Sequence, residues 1–404
     1  MAKKFMNREV MDLSKYFNIA ADCKPAIHYM VNIQPQLDEM KKKVDRGEYF
    51  VMNRARQYGK TTTLRTLKKS LTDEYIVISL DFLMLSNNDF LNEVRFTQVF
   101  SKEVLSTLSV NDIENMDEVA LEQLHAFAEK KCETNTLSSL FHSLSNLCKT
   151  SRKKIVLLID EADKAPNNQV FLDFLTQLRG YYISREEHPT FHSVILSCVY
   201  DVKNLQCKTH LDAGYRERSP WNIASKFNVD MNFSAAEISG MLKEYEQDYH
   251  TGMDITQIAE LIYDYTSGYP FLVSALCQII DEEIAGSEQF PELCSAWTKE
   301  GFLEAVEVLL TEKNTLFESL VYKLEEYPEL ENIIYHILFQ RDIITYNPDN
   351  SAINTGIMFG FIKVIKGMVV ISNRIFETLF YNYLLSLEEM QDTDIHFENN
   401  ILQN

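Results

Sequence analysis

One unbroken apolar run constrains the fold of this chain more than any other feature. Residues 155–159, with the sequence IVLLI, lead without polar alternation into the acids Asp160 and Glu161. A strand that is apolar at every position is covered on both faces, as in a parallel sheet between two layers of helices. Three other strand-like segments alternate with helical patterns along the chain: 49–52, 76–80 and 193–200. The sequence therefore predicts an α/β fold with a parallel sheet.

The pattern changes near residue 233. The segment KFNVDMNF at 226–233 predicts a fifth strand, and helical patterns then continue to about residue 315. Ser234 opens the first of these helices, with Glu237 three residues later, which is the spacing of a capping box. Further on, helices precede two apolar alternating stretches that are separated by Lys366 and Gly367, so a hairpin is predicted there.

Composition excludes several classes of protein. With 46% hydrophobic residues the chain can bury a sizeable core, which argues against disorder as its main state. The net charge of −20 attracts no nucleic acid, so DNA or RNA binding would need a local basic patch. Seven cysteines without CxxC or CxxH spacing favour reduced thiols in a cytoplasmic protein. No apolar run approaches the roughly 18 residues that span a bilayer, and the first residues do not resemble a signal peptide.

A phosphate-binding motif lies between the strand at 49–52 and the helix that follows it, where the chain reads Gly59-Lys60-Thr61. The start of a helix presents free N–H groups and the positive end of its dipole to an anion. We expect Gly59 to let the backbone approach phosphate, Lys60 to reach the β- and γ-phosphates, and Thr61 to hold Mg²⁺. The full pattern G-x-x-x-x-G-K-[ST] has glycine where this chain has Arg54, so a different loop path is expected. A basic solvated turn is the alternative.

The two acids at the end of the apolar run complement this motif. Asp160 is expected to hold Mg²⁺ through water, and Glu161 to polarise the water that attacks the γ-phosphate. The alternative is an acidic cap for the next helix, a role that Asp163 could also fill. Because a strand followed by GKT and a strand followed by two acids occur in this order, chance agreement is improbable. Together they predict a site that binds ATP and Mg²⁺.

At these residues the chain resembles the P-loop ATPases of the AAA-like group, close to the signal-transduction ATPases with numerous domains. The stretch from Asn53 to Thr62 is similar to the glycine-poor nucleotide loops of the bacterial AAA-like ATPases. TSGYPF at 266–271 is similar to the GxP motif of the helical lid in the signal-transduction group, where the proline, here Pro270, lies against the base. SPWNI at 219–223 and NRIFE at 373–377 are similar to a segment before the fifth strand and to the end of the winged helix.

The resemblance implies a sheet of strand order 5-1-4-3-2, an α-helical lid and a winged-helix domain. It implies that Asp160 is a metal ligand together with Thr61, and that Glu161 and Lys60 act in catalysis. The implied nucleotide-binding residues are Arg56, Gln57, Tyr58, Gly59, Lys60, Thr61, Thr62 and Pro270. The predicted segments are an N-terminal helical extension at 1–45, a P-loop ATPase core at 46–233, the lid at 234–315, the winged-helix domain at 316–390 and an acidic tail at 391–404.

Two roles stay open between several residues. The candidates for a sensor at the end of the fourth strand are Ser197, Tyr200 and Asp201. The candidates for an arginine finger are Arg216 and Arg218, and in cis Arg54 and Arg56, with structural ion pairs as the alternative. The predicted hairpin region carries only three cations, Lys363, Lys366 and Arg374, which favours protein docking over DNA binding.

These features predict an ATPase that acts as a nucleotide-dependent molecular switch with an unidentified protein partner. Oligomerisation is compatible with the sequence, nucleic-acid binding is not favoured, and no membrane association is expected. Loss of the first loop glycine motivates one alternative, a nucleotide-binding interaction module that does not hydrolyse ATP. The other alternative is a DNA-handling ATPase of a defence or mobile-element system.

Overall fold

The computed structural model describes residues 15–129, 135–164, 168–199 and 221–401, with side chains to residue 389. The chain divides into two compact units. The sheet unit consists of Ile33–Ala55 and Lys60–Asp230. The helical unit consists of Met1–Asn32, Arg56–Gly59 and Met231–Asn404.

The secondary structure alternates strands and helices in the first half and is mainly helical in the second. The strands are β1 (Tyr16–Phe17), β2 (His28–Tyr29), β3 (Tyr49–Asn53), β4 (Ile76–Asp81), β5 (Ile155–Asp160), β6 (Ser193–Cys198), β7 (Ile344–Thr345), β8 (Ile362–Ile365) and β9 (Met368–Ile371). The helices before residue 230 are α1 (Gln34–Asp45), α2 (Lys60–Leu71), α3 (Glu93–Thr107), α4 (Val110–Glu114), α5 (Glu118–Ala128), α6 (Leu137–Thr150) and α7 (Gln169–Ile183). The later helices are α8 (Ala235–Tyr249), α9 (Ile255–Thr266), α10 (Pro270–Ile279), α11 (Leu293–Ala296), α12 (Lys299–Thr311), α13 (Thr315–Glu326), α14 (Pro328–Tyr335), α15 (Ser351–Met358) and α16 (Arg374–Ile401). Shorter 3-10 or π-helical turns cover Phe82–Met84, Asn87–Phe90, Ala162–Lys164, Ile280–Ile284 and His336–Gln340.

The sheet unit is built on a parallel four-stranded sheet in the order β3-β6-β5-β4. All six residues of β5 are buried, as the unbroken apolar run predicts. Ile155, Leu157 and Ile159 belong to one core with side chains of α3, α5, α6 and α7. The alternate residues point to the opposite face, where α1 and α2 contact the sheet. Asp160 therefore ends β5 on the face that carries α2.

The four strands have the order 1-4-3-2 of the predicted 5-1-4-3-2, but residues 226–233 do not form the predicted fifth strand, so the full order is not confirmed. Among the described residues only Ser225 continues the sheet beyond β3, through a single parallel bridge to Phe50. The next residues are held by side chains instead of a ladder. The ring of Phe227 stacks on that of Phe50 with centroids 5.9 Å apart, and Arg54 donates to the carbonyl of Val229 at 2.7 Å.

The helical unit confirms two local predictions. Ser234 caps α8 in a capping box with Glu237. β8 and β9 pair antiparallel around Lys366 and Gly367, whose φ angles of 50° and 78° are those of a tight hairpin turn. β7 extends this hairpin to a three-stranded sheet in the order β7-β9-β8. In the described part of the chain, no helix is long and apolar enough to cross a membrane.

Candidate nucleotide-binding site

Lys60, the first residue of α2, is almost completely buried, with 7% of its surface exposed. Its Nζ donates to the backbone carbonyls of Arg54 and Ala55 at 3.0 and 2.9 Å, so the loop curls around its own ammonium group. Burial lowers the pKa of Lys60, while the nearby carboxylates, led by Glu161, act to raise it. A cation held by backbone oxygens at a helix start can exchange these acceptors for the oxygens of a phosphate.

Thr61 connects the phosphate motif to the acid pair. Its Oγ1 donates to Oδ2 of Asp160 at 2.7 Å, although the two residues are 99 positions apart in the chain. The other oxygen of Asp160, Oδ1, accepts from the backbone N–H of Glu161 at 3.0 Å. The predicted metal ligands, Thr61 and Asp160, are therefore in direct contact.

Glu161 occupies an unusual backbone conformation. Its φ of 50° lies in the left-handed region, where a residue with a side chain costs about 1–2 kcal/mol. Burial raises the pKa of Glu161, Lys60 lowers it, and Asp163 raises it further. Strained residues of this kind cluster at functional sites. A half-buried carboxyl with a raised pKa is a stronger base than an ordinary glutamate.

Neither acid of the pair caps the following helix. The cap of α7 is Asn168, whose side chain accepts from the N–H groups of Val170 and Phe171. Asp163, the other candidate for that role, instead accepts from the backbone N–H of Val199 just after β6, at 2.8 Å. Asp163 therefore fixes the end of β6 next to the acid pair.

Arg54 replaces the first glycine of the motif, and its side chain leads away from the loop. The guanidinium donates to the carbonyls of Asn53 and Val229 at 2.9 and 2.7 Å and lies 5.0 Å from the ring centroid of Phe227. Charge-assisted hydrogen bonds and a cation–π contact of this kind fix a structural arginine. These contacts account for the different loop path and give Arg54 a role other than that of a finger.

The loop tip, residues 56–59, belongs to the helical unit. Gln57 and Gly59 both have positive φ angles, 55° and 73°, and no atom lies within 4 Å of a Cβ built on Gly59. There is therefore open space on the Cβ side of Gly59. Sequence reasoning missed the partners of the tip: Tyr269 donates to the carbonyl of Arg56, Tyr58 donates to Asn232, and Gln57 donates to Thr315 at 3.2 Å.

The remaining predicted residues fall into three groups. Thr62 lies in the first turn of α2, and Pro270 is the buried first residue of α10. Ser197 is buried in β6, and its hydroxyl has no hydrogen-bond partner among the described residues. Since Leu196 and Cys198 face the core of α3, α5, α6 and α7, Ser197 faces the same side of the sheet as Asp160. Outside the described residues lie Tyr200, Asp201, Arg216, Arg218 and the first two residues of SPWNI.

The residues present fit a magnesium–triphosphate group. Lys60 supplies a charged donor at a helix start, and Gly59 leaves room for the phosphates. A hydroxyl and a carboxylate are oxygen ligands of the type that Mg²⁺ takes from a protein when phosphates complete its shell. The hydroxyl of Ser197, which has no partner in the part of the chain that the structure describes, is a further polar group on that face of the sheet.

The chain is similar to one protein family and to several solved structures. The chain matches the model of the AAA-like domain family over residues 28–382. A Walker-type ATPase of Pyrococcus abyssi has a similar fold, with a TM-score of 0.61 at 12% identity over 90% of this chain and 99% of that chain. The RuvB Holliday junction branch migration motor of Thermotoga maritima gives a TM-score of 0.40 at 11% identity, covering 86% of this chain and 95% of that one. The ORC2 protein of Aeropyrum pernix gives 0.44 at 10% identity, with 87% and 93% covered.

No curated protein matches the chain at a significant level. The family model nevertheless spans most of the chain, including the loop, the acid pair and the hairpin. The chain therefore belongs to the AAA-like domain family and is an ATP-binding protein of the ATPase class.

Proposed function

We propose that this chain hydrolyses ATP at the carboxyl end of β5 and that the hydrolysis cycle operates a molecular switch. The observation that carries the proposal is the 2.7 Å hydrogen bond between Thr61 and Asp160, which joins the start of α2 to the end of β5. A structural turn would not need a hydroxyl and a carboxylate to meet there beside a buried lysine. Phosphoryl transfer needs all three groups at one place.

Each residue has a distinct task in this proposal. Lys60 donates to the β- and γ-phosphates in place of the two carbonyls that it binds in the structure. Thr61 and Asp160 would hold Mg²⁺, which would neutralise charge on the phosphates. Glu161 orients the attacking water and accepts its proton, and its raised pKa favours that step. Ser197 is the sensor among the described candidates, because its buried hydroxyl is available for a hydrogen bond.

Two substitutions test the proposal directly. Lys60→Ala should abolish ATP binding measured by calorimetry, because it removes the charged donor of the loop. Glu161→Gln should keep ATP binding and lose phosphate release, because it removes the base without changing the shape of the side chain. Asp173→Asn is the matched control: Asp173 accepts from Gln169 on the surface of α7, away from the acid pair. Phosphate release by Glu161→Gln at the rate of the control would remove Glu161 from its role.

The finer likeness to signal-transduction ATPases is part of the same proposal. Residues 234–315 act as a lid in which Pro270 lies against the base, and residues 316–390 act as a winged helix. Two of the three cations near the hairpin are already engaged within the helical unit: Lys363 donates to Ser267 at 2.9 Å, and Arg374 lies 4.5 Å from the ring centroid of Tyr265.

This engagement supports docking of a protein in preference to DNA. A DNA-binding wing must release counterions from several phosphates, and Lys366 alone is a weak basis for that. A gel shift with duplex DNA at salt concentrations between about 50 and 200 mM checks the point. Binding that weakens steeply with salt, or hydrolysis stimulated by DNA, would contradict the protein-docking assignment.

A further inference from the structure

Three side-chain hydrogen bonds attach the tip of the phosphate loop within the helical unit. Tyr269 donates to the backbone carbonyl of Arg56, and Tyr58 donates to Oδ1 of Asn232. Gln57 donates through Nε2 to the hydroxyl of Thr315 at 3.2 Å. The rings of Tyr58 and Tyr269 also meet edge to face, with centroids 4.5 Å apart. Every residue from 56 to 58 therefore has a partner beyond residue 231.

The two segments that hold the tip are themselves fixed against each other. The N–H of Phe233 donates to the carbonyl of Gly268 at 2.9 Å. A Cβ at Gly268 would lie 2.0 Å from the carbonyl oxygen of Phe233, so only glycine permits this approach. Asn232 precedes Phe233 and Tyr269 follows Gly268, and both partners of the tip are thereby held in register.

Tyr269 is suited to be a permanent donor. Only 2% of its surface is exposed, and burial raises the pKa of its hydroxyl well above the ordinary value. The hydroxyl therefore stays protonated at every physiological pH. The acceptor is a backbone carbonyl, which is present whatever side chain occupies position 56.

The loop needs such support because its own sequence does not supply it. The side chain of Arg54 is directed to Val229, and Gln57 has a left-handed φ of 55°, which is costly for a residue with a side chain. A strained conformation persists only where surrounding contacts determine it. At the tip those contacts are the two tyrosine hydroxyls and the amide of Gln57.

We propose that Tyr269 and Tyr58 are positioning residues that hold the tip of the phosphate loop in the conformation that binds nucleotide. This inference rests on the proposed function, because it concerns the same loop. By linkage, ATP binding in turn stabilises the contacts of Tyr269 and Tyr58. ATP binding would thus stabilise the helical segments around residues 232 and 268 through the two phenol groups.

The test compares Tyr269→Phe and Tyr58→Phe with wild type by calorimetry with ATP and Mg²⁺ and by phosphate release. Each variant loses one hydroxyl and keeps the ring. The expected result is ATP binding weakened by about three- to tenfold in each, the effect of one hydrogen bond. For Tyr269→Phe, turnover at saturating ATP should stay near that of wild type, since Thr61, Asp160 and Glu161 are untouched.

Tyr29→Phe is the matched control. Tyr29 is also buried in the helical unit, and its hydroxyl donates to Asp248 at 2.6 Å, but the structure shows no contact of Tyr29 with the loop tip. It should lose stability without losing ATP affinity. If Tyr269→Phe does not fold, the half-buried Tyr58 carries the test.

The two proposals fail in different ways. Wild-type affinity in both tyrosine variants, with no binding by Lys60→Ala, would overturn the inference and leave the proposed function standing. An equal loss of affinity in Tyr29→Phe would assign the effect to general destabilisation and also overturn it. If the wild-type chain binds no ATP, the proposed function fails and the positioning role falls with it.

Discussion

Replacing Gly268 with alanine separates the effect of a backbone angle from that of a close contact. Gly268 and Gly252 have nearly the same φ, 73° and 74°. A Cβ at Gly252 would meet no atom within 4 Å, whereas one at Gly268 would lie 2.0 Å from the carbonyl oxygen of Phe233. Alanine should therefore strain the backbone equally at both sites and clash only at Gly268.

The magnitude follows from two contributions. The left-handed conformation costs an L-residue about 1–2 kcal/mol, and this cost applies to both variants. At Gly268 the segments must also separate by about an ångström, which breaks the 2.9 Å hydrogen bond from Phe233 and leaves the carbonyl of the buried Gly268 without that partner. An unsatisfied buried group costs about 1–3 kcal/mol. We expect Gly268→Ala to be less stable than Gly252→Ala by about that amount.

The assay uses urea unfolding followed by tryptophan fluorescence. The chain has two tryptophans, Trp221 in the sheet unit and Trp297 in the helical unit, so a Trp221→Phe background reports on Trp297 alone. With a slope of about 2 kcal/mol/M, the two midpoints should differ by about 0.5–1.5 M urea. Equal midpoints would refute the contact between Gly268 and Phe233. ATP affinity should also fall in Gly268→Ala and stay unchanged in Gly252→Ala.

Three further predictions concern the sheet unit. Burial raises the pKa of Glu161 in the folded state above its ordinary 4.5, so ionisation of this carboxyl destabilises the fold as pH rises. Glu161→Gln should therefore be more stable than wild type at pH 7. Urea titrations should show that the difference disappears below about pH 4, where the carboxyl is protonated in both states. Arg54→Gly restores the usual loop glycine but removes the donor to Val229, so the free energy of unfolding should fall by about 2–3 kcal/mol; unchanged stability would show that the hydrogen bond is dispensable. Ser197→Ala removes a buried unpaired hydroxyl, so stability should be retained while phosphate release falls; unchanged release would exclude Ser197 as the sensor.

The sheet and the contact between the two motifs were predictable from the sequence. The run at 155–159 is apolar at every position because both faces of β5 are covered, and that requirement is visible without coordinates. The meeting of Thr61 and Asp160 follows from topology, because parallel strands end at one edge of a sheet. Neither prediction depends on the identity of a distant partner.

The fifth strand shows what a local pattern cannot decide. Residues 226–233 alternate polar and apolar side chains as a strand does, yet they form no ladder. Strand formation depends on the neighbours that a segment finds, more than on its own preferences. Here the ring of Phe227 stacks on that of Phe50, and Arg54 donates a hydrogen bond to the carbonyl of Val229. Beyond the single bridge at Ser225, these side-chain contacts take the place of backbone pairing with β3.

The partners of the loop tip were beyond sequence reasoning for a different reason. The motif at 266–271 directs attention to Pro270, but the described contact with the tip comes from the residue before it, Tyr269. A backbone carbonyl accepts a hydrogen bond whatever its side chain is, so the sequence at position 56 does not indicate that Tyr269 contacts it. Only the positive φ of Gly268 and its approach to Phe233 reveal that the segment is held so tightly.

The two carbonyls that bind the ammonium of Lys60 reduce the free energy that an anion gains by binding there. Their 3.0 and 2.9 Å bonds occupy two of the three N–H donors of the ammonium, so an anion that displaces the carbonyls gains only the difference between its own interaction and theirs. Singly charged anions such as chloride or acetate offer little advantage over two amide oxygens in this position. A polyphosphate brings more charge and more acceptor oxygens, so it gains more than these anions do from replacing the two carbonyls.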